Sequence, residues 1–320
     1  MITLDDIREA RRTIAGVVHR TPLMHSSMIG ERRGVDLYLK CENLQKTGSF
    51  KPRGALNKLA HLSEAEKACG VITVSAGNHA QGVAFAARRA GVKCVVVMPE
   101  DAPQTKLDAT CGYGAQVVQY GTHTTLAGMF DKAEELRREN GYTFVHPFDD
   151  PFVIAGQGTI GMEILEDLTD VDVVMVQIGG GGLISGISSA IKLISPRTKV
   201  IGVESASGPA MQESLKAGKV VRIPRAYSIA DGIGAPFVGK LNLEIVKENV
   251  EDFVTVTDKE IIDGMKWILQ RAKLLVEGAG AASVAALLSG RTNVPKGSRV
   301  VCILSGGNVD LKRVSDWIKT

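Results

Sequence analysis

Short apolar runs alternate with amphipathic stretches along almost the whole chain. The runs over 71–74, 94–98, 117–120, 171–178, 200–203 and 300–304 are rich in valine and isoleucine, with few polar positions between them. That pattern predicts strands buried on both faces. The stretches between them read as helices. Ser63-Glu64-Ala65-Glu66 and Thr257-Asp258-Lys259-Glu260 each set a hydroxyl three residues ahead of a glutamate, the pattern of a capping box. Strands alternating with helices imply parallel sheets with covered faces, hence an α/β protein. Repeats and low-complexity linkers are absent. In His146-Pro147-Phe148-Asp149-Asp150-Pro151 prolines and turn formers interrupt the pattern, so the chain is expected to cross between domains there.

The length of 320 residues exceeds one usual core and favours two domains. The net charge of +3 is spread along the chain without a basic tail, which argues against nucleic acid or an anionic membrane as partner. The start, Met1 to Asp6, lacks a secretory pattern, and no apolar run approaches ~18 residues. Cys41, Cys69, Cys94, Cys111 and Cys302 are widely spaced and read as reduced thiols of a cytoplasmic protein.

Candidate chemistry begins with Lys51, in Ser49-Phe50-Lys51-Pro52-Arg53-Gly54-Ala55. Pro52 suits a first helical position and biases Lys51 toward an extended conformation. Ala55, Leu56, Leu59 and Leu62 carry a helical spacing onward. Lys51 is therefore expected just ahead of a helix N-terminus, where dipole and burial disfavour its ammonium form. A lysine that readily loses its proton suits a Schiff base with an aldehyde cofactor. A solvated surface lysine is the plain alternative.

Four glycine-bearing turns accompany it. Gly179-Gly180-Gly181-Gly182 separates a strand from the helical stretch beginning at Leu183, an arrangement that lets backbone amides converge on a phosphate. A dinucleotide site competes, since Glu204 lies ~20 residues on, but the glycines do not fit G-x-G-x-x-G. Ser75-Ala76-Gly77-Asn78-His79-Ala80-Gln81-Gly82 also follows a strand and opens a helix at Val83. Ser75 and Asn78 could hold a carboxylate there or merely cap the helix, and His79 could be an acid/base or a partner of a backbone carbonyl. Ser305 in Leu304-Ser305-Gly306-Gly307-Asn308 closes the last strand, where α/β sheets place ligands. Glu277-Gly278-Ala279-Gly280-Ala281 is the fourth turn, readable alone as a helix connection.

Taken together these motifs resemble the pyridoxal-phosphate enzymes of the threonine/serine dehydratase family, of fold type II, and among them the short biodegradative dehydratases. The resemblance runs from Thr21-Pro22-Leu23 to Asn308 and includes Ala155-Gly156-Gln157-Gly158-Thr159 and Ala230-Asp231-Gly232. It implies a two-domain, tryptophan synthase β-like fold in which each domain is a mostly parallel twisted sheet flanked by helices. The large domain would comprise 1–51 and 147–320, and a small mobile domain 52–146. Lys51 would carry pyridoxal 5'-phosphate as a Schiff base and then act as base at Cα, with Phe50 packed on the ring. Asn78 would meet the ring's phenolic oxygen and Ser305 its nitrogen. Gly179, Gly180, Gly181, Gly182 and Leu183 would bind the phosphate, and Ser75, Gly77, Asn78 and His79 the substrate carboxylate. The implied activity is elimination of ammonia from L-threonine or L-serine, in a homodimer or homotetramer.

Two positions depart from relatives. Serine racemases of the family place a second serine where this chain has Ala76, and a methyl group cannot move a proton. They also bind a divalent cation through two acidic side chains; Glu204 matches the first and Ala210 stands at the second. A monovalent cation on Glu204 and carbonyls is the alternative, and a solvated strand end the plain reading. The chain stops soon after Asn308, so feedback control through an added C-terminal region is not expected. A hydroxyaspartate dehydratase or serine racemase stays open, as do a catalytically silent binding protein and a nicotinamide dehydrogenase.

Overall fold

The computed structural model describes residues 1–75, 77–102, 104–122, 126–224 and 227–319. Two sheets carry the architecture. The first has six strands, in the order β1 (Leu23–His25), β2 (Asp36–Lys40), β10 (Arg299–Ile303), β7 (Val173–Gln177), β8 (Lys199–Ser205) and β9 (Asp252–Val256). All its pairings are parallel except the antiparallel edge pair β1–β2. The second sheet, β5 (Gln116–Gln119), β4 (Cys94–Met98), β3 (Val71–Val74) and β6 (Thr143–Phe144), is parallel throughout.

Most of the apolar runs became central strands as expected, and β3, β4 and β7 are buried at every position. The run 117–120 instead forms the edge strand β5, where a single neighbouring strand leaves Val117 and Val118 half-buried and Gln119 exposed. On the first sheet Val173 and Met175 face one core and Val174 and Val176 the other, the alternation of a pleated strand. Both capping boxes form, at Ser63 and at Thr257. Strands β1, β2, β6 and β9 have no continuous apolar run. They are either two or three residues long or mix polar and apolar positions, so the runs do not reveal them. Among the described residues no helix is long and apolar enough to cross a membrane.

The strand order decides where a site can form. The chain leaves the first sheet after β2, builds the second sheet over 71–144, and returns at β7; β10 then inserts between β2 and β7. The loops after β2, β7 and β10 therefore emerge side by side at the strands' carboxyl ends, at a point where the order reverses. Those loops lead to Lys51 at the start of the next helix and carry the glycine run and Ser305.

Candidate active site

Lys51 enters the cleft between the two sheets from the first turn of the helix Lys51–Ala60. Its placement corrects the expectation of an extended residue ahead of the helix: Lys51 is the first helical residue, and Phe50 before it already has helical φ −60° and ψ −19°. Pro52 is tolerated because its missing N–H belongs to a first turn that leaves such groups unpaired. The bias on the preceding residue is overridden by packing. A methyl group at Gly82 would lie 3.0 Å from Lys51 Cβ, so the helix Asn78–Ala90 closes directly on this turn. The Lys51 amine donates to the Pro147 carbonyl at 2.9 Å and stands 5.1 Å from the Phe50 ring centroid. Burial brings it down to about 8, against the opposing charge of Glu277.

Across the cleft, Gly179 to Gly182 link β7 to the helix Gly182–Ile194. Gly181 caps that helix at φ +102°, a conformation side chains disfavour. The loop is also closely covered: a methyl at Gly180 would lie 2.2 Å from the Phe148 ring, and one at Gly179 3.1 Å from Ile233 Cα. Bare backbone amides at a helix N-terminus suit a phosphate. With the Lys51 amine for an aldehyde and Leu183 and Ser305 lining the same cleft, the residues present fit pyridoxal phosphate.

The helix that was expected from Val83 starts at Asn78, which brings Ser75, Gly77, Asn78 and His79 to its N-terminal end. Ser75 Oγ accepts from the Gly77 amide at 3.1 Å. Asn78 is fixed from both sides: its Nδ2 donates to Glu277 Oε1 at 2.6 Å, and its Oδ1 accepts from Asn308 Nδ2 at 2.9 Å. His79 is buried, and desolvation holds its imidazole well below the usual range. Its Nε2 meets the Val145 carbonyl at 3.1 Å, so the neutral ring donates there, as the carbonyl-partner alternative held. Ala76 lies outside the described residues. Ser305 is buried at the end of β10, and its carbonyl accepts from the Phe50 amide at 3.1 Å, tying the Lys51 segment to that strand.

Four lining residues carried no functional reading from sequence. Glu277, at the head of the fourth glycine turn, is raised to about 7 by burial and then by the nearby Asp231 charge. Lys106 pairs with Asp231 at 2.7 Å, joining the four-stranded side to the six-stranded side. Phe148 packs on the glycine loop from the stretch read only as a crossing. A lone glutamate ahead of the otherwise apolar helix Gly278–Ser289 was a usable signal; Lys106, Asp231 and Phe148 had none of their own.

Glu204 is not a solvated strand end. It is buried in β8, and its oxygens accept from the amides of Met211 at 2.8 Å and Gln212 at 3.0 Å, which caps the helix Ala210–Ala217. Burial raises it to about 7 against those hydrogen bonds. Among the described residues no three His, Cys, Asp or Glu side chains gather to hold an ion.

The family model of the pyridoxal-phosphate dependent enzymes matches residues 14–306. The chain belongs to that family, and its two-sheet architecture is that of fold type II. More narrowly, it is 51% identical over 318 residues to the L-threonine ammonia-lyase of Thermotoga maritima, covering 98% of this chain and 77% of that one. Among solved structures, the threonine deaminase of T.th. superposes with a TM-score of 0.90 at 42% identity, covering 96% of this chain and 99% of the other. Maize serine racemase superposes with a TM-score of 0.94 at 36% identity, covering 99% and 97%.

Proposed function

We propose that the protein is a pyridoxal-phosphate-dependent L-threonine/L-serine ammonia-lyase that eliminates the β-hydroxyl to give 2-oxobutanoate or pyruvate with ammonia. The observation that carries this reading is the Lys51 amine, desolvated to about 8 and facing a glycine cradle across one cleft. The chemistry the cofactor supplies when bound is an electron sink conjugated to the substrate Cα. Lys51 holds the aldehyde carbon, Phe50 packs on the ring, and the amides from Gly179 to Leu183 take the phosphate. The second Nδ2 proton of Asn78 remains for the ring oxygen, because Glu277 and Asn308 fix the carboxamide. Ser305 offers the ring nitrogen a neutral partner. The start of the helix Asn78–Ala90, with Ser75, Gly77 and the His79 amide, takes the substrate carboxylate. Once released, Lys51 Nζ accepts the Cα proton; an amine near 8 is well matched to that task at ordinary pH.

The unit 52–146 closes over substrate against 1–51 and 147–320, excluding water, and the Lys106–Asp231 pair joins the two sides. The assembly is a homodimer or homotetramer. The likeness to maize serine racemase supports a racemase as second reading, and Ala76, with no proton to move, weighs against it. A hydroxyaspartate substrate would need a cation for its extra carboxylate, and Lys106 is already paired with Asp231.

The test is the absorbance of purified protein before and after L-threonine, with 2-oxo acid trapped as its hydrazone. A cofactor band with 2-oxobutanoate appearing is expected, and Lys51→Ala should lose both the lysine-linked band and turnover. A protein that stays colourless after reconstitution, or a Lys51→Ala variant with normal turnover, would refute the reading.

A further inference from the structure

Behind the Lys51 turn lies a closed set of charges with no part in the chemistry above. Arg53, Lys40 and Glu42 are wholly buried, and Glu163 nearly so at 7%. Arg53 forks onto Glu42 through Nε and Nη2, both at 2.8 Å, and onto Glu163 through Nη1 at 2.7 Å and Nη2 at 2.9 Å. Nη1 also reaches Thr159 Oγ1 at 3.1 Å, and Nη2 the His19 carbonyl at 3.2 Å. Lys40 Nζ completes the set on Glu163 at 2.7 Å and on the Thr21 carbonyl at 2.8 Å, while the Thr21 hydroxyl donates to Glu42. Two cations thus meet two carboxylates. Burial alone would raise the Glu42 carboxyl; Arg53 outweighs it and holds Glu42 below its ordinary range.

Apolar residues of the same volume would often make as stable a core, because taking charges out of water is expensive. What a double fork adds is direction, since a planar guanidinium on two carboxylates accepts few geometries. Its location shows what is directed. The helix Lys51–Ala60 straddles two cores: Ala55, Leu56 and Leu59 pack beneath the four-stranded sheet. The Arg53 side chain, two residues from Lys51, instead finds every partner on the six-stranded side: Glu42 just after β2, the His19 carbonyl, and Thr159 and Glu163 on the helix Pro151–Asp167. The backbone there is seated as tightly. A methyl at Gly156 would lie 2.6 Å from the Arg53 carbonyl oxygen, and one at Gly54 2.7 Å from that of Val153.

We propose that Arg53 is a positioning residue whose double fork on Glu42 and Glu163 pins the Lys51 turn to the side that carries the glycine loop. The amine then keeps its place against that loop while the part of the unit 52–146 beyond the fork closes over substrate. This rests on the reading of Lys51 as the cofactor-holding amine.

The experiment compares Glu163→Gln and Arg53→Lys with Leu59→Ala, a change at the far end of the same helix that faces the other core. Each holoenzyme is measured for cofactor content, visible circular dichroism per bound cofactor, kcat and KM for L-threonine, and Tm. Glu163→Gln and Arg53→Lys should bind a full complement of cofactor with weakened visible dichroism. Their kcat should fall about tenfold or more with KM within about twofold, as expected when a reacting group is displaced on the ångström scale. Leu59→Ala, with at least as large a loss of Tm, should keep its dichroism and kcat. If Arg53→Lys does not fold, the isosteric Glu163→Gln decides. Fork variants that lose Tm yet keep dichroism and kcat would overturn the proposal, as would a Leu59→Ala variant that loses kcat in proportion to Tm. A wild-type protein without cofactor band or oxo acid would instead sink the Lys51 reading.

Discussion

Replacing Lys51 with methionine should make the cofactor-free protein more stable at neutral pH. A free lysine titrates near 10.5, and burial in the cleft brings Lys51 to about 8. At about 1.36 kcal/mol per pH unit, that difference is a penalty of about 3 kcal/mol on the charged amine. Below about pH 8 the folded and unfolded chains both carry the proton, so the penalty acts in full. Between about 8 and 10.5 the unfolded chain binds more protons than the folded one, and stability rises with pH. By about pH 10 roughly 2 kcal/mol of the penalty has gone. Methionine matches the lysine stem in shape and carries no charge, but forfeits the hydrogen bond to the Pro147 carbonyl, about 1 kcal/mol. The variant should therefore lead the wild type by about 1–2 kcal/mol at about pH 7 and by nothing at about pH 10. Urea unfolding of both cofactor-free proteins, followed by far-ultraviolet dichroism at the two pH values, measures this. A variant less stable at neutral pH, or a lead that does not shrink as pH rises, would show that the amine is not desolvated.

Two further outcomes test the surroundings. Gly180→Ala drives a methyl into the Phe148 ring, so cofactor affinity should drop about tenfold or more, and Phe148→Ala in the same chain should restore part of it. Cofactor titration by absorbance reads both, and an unchanged Gly180→Ala affinity would place the phosphate elsewhere. At about pH 4 the raised Glu204 carboxyl is largely protonated in folded and unfolded chains alike, so its burial penalty is nearly absent. There Glu204→Ala should lose about 1–2 kcal/mol in urea through the uncapped helix Ala210–Ala217, with threonine turnover per folded molecule at neutral pH retained. Loss of turnover at full stability would give Glu204 a role beyond that cap.

The α/β class was legible in the amino-acid pattern alone, because strands covered on both faces are mostly apolar, as are β3, β4 and β7, each buried at every position. The sequence also marked Lys51 and the four glycines, because an amine ahead of a turn and a run of residues without Cβ are local signatures of chemistry. Strands such as β2 and β9 escaped notice because neighbouring strands and helices bury only part of each. The tertiary structure alone set Asn78 against Glu277, 199 positions away, and Arg53 against Glu163, 110 away. It also drew Lys51 into the helix that Pro52 was expected to exclude. A periodic pattern records which face of an element meets a core. Which polar groups pair across that core, and how far they shift each other's protons, is settled only when distant segments share one dry space.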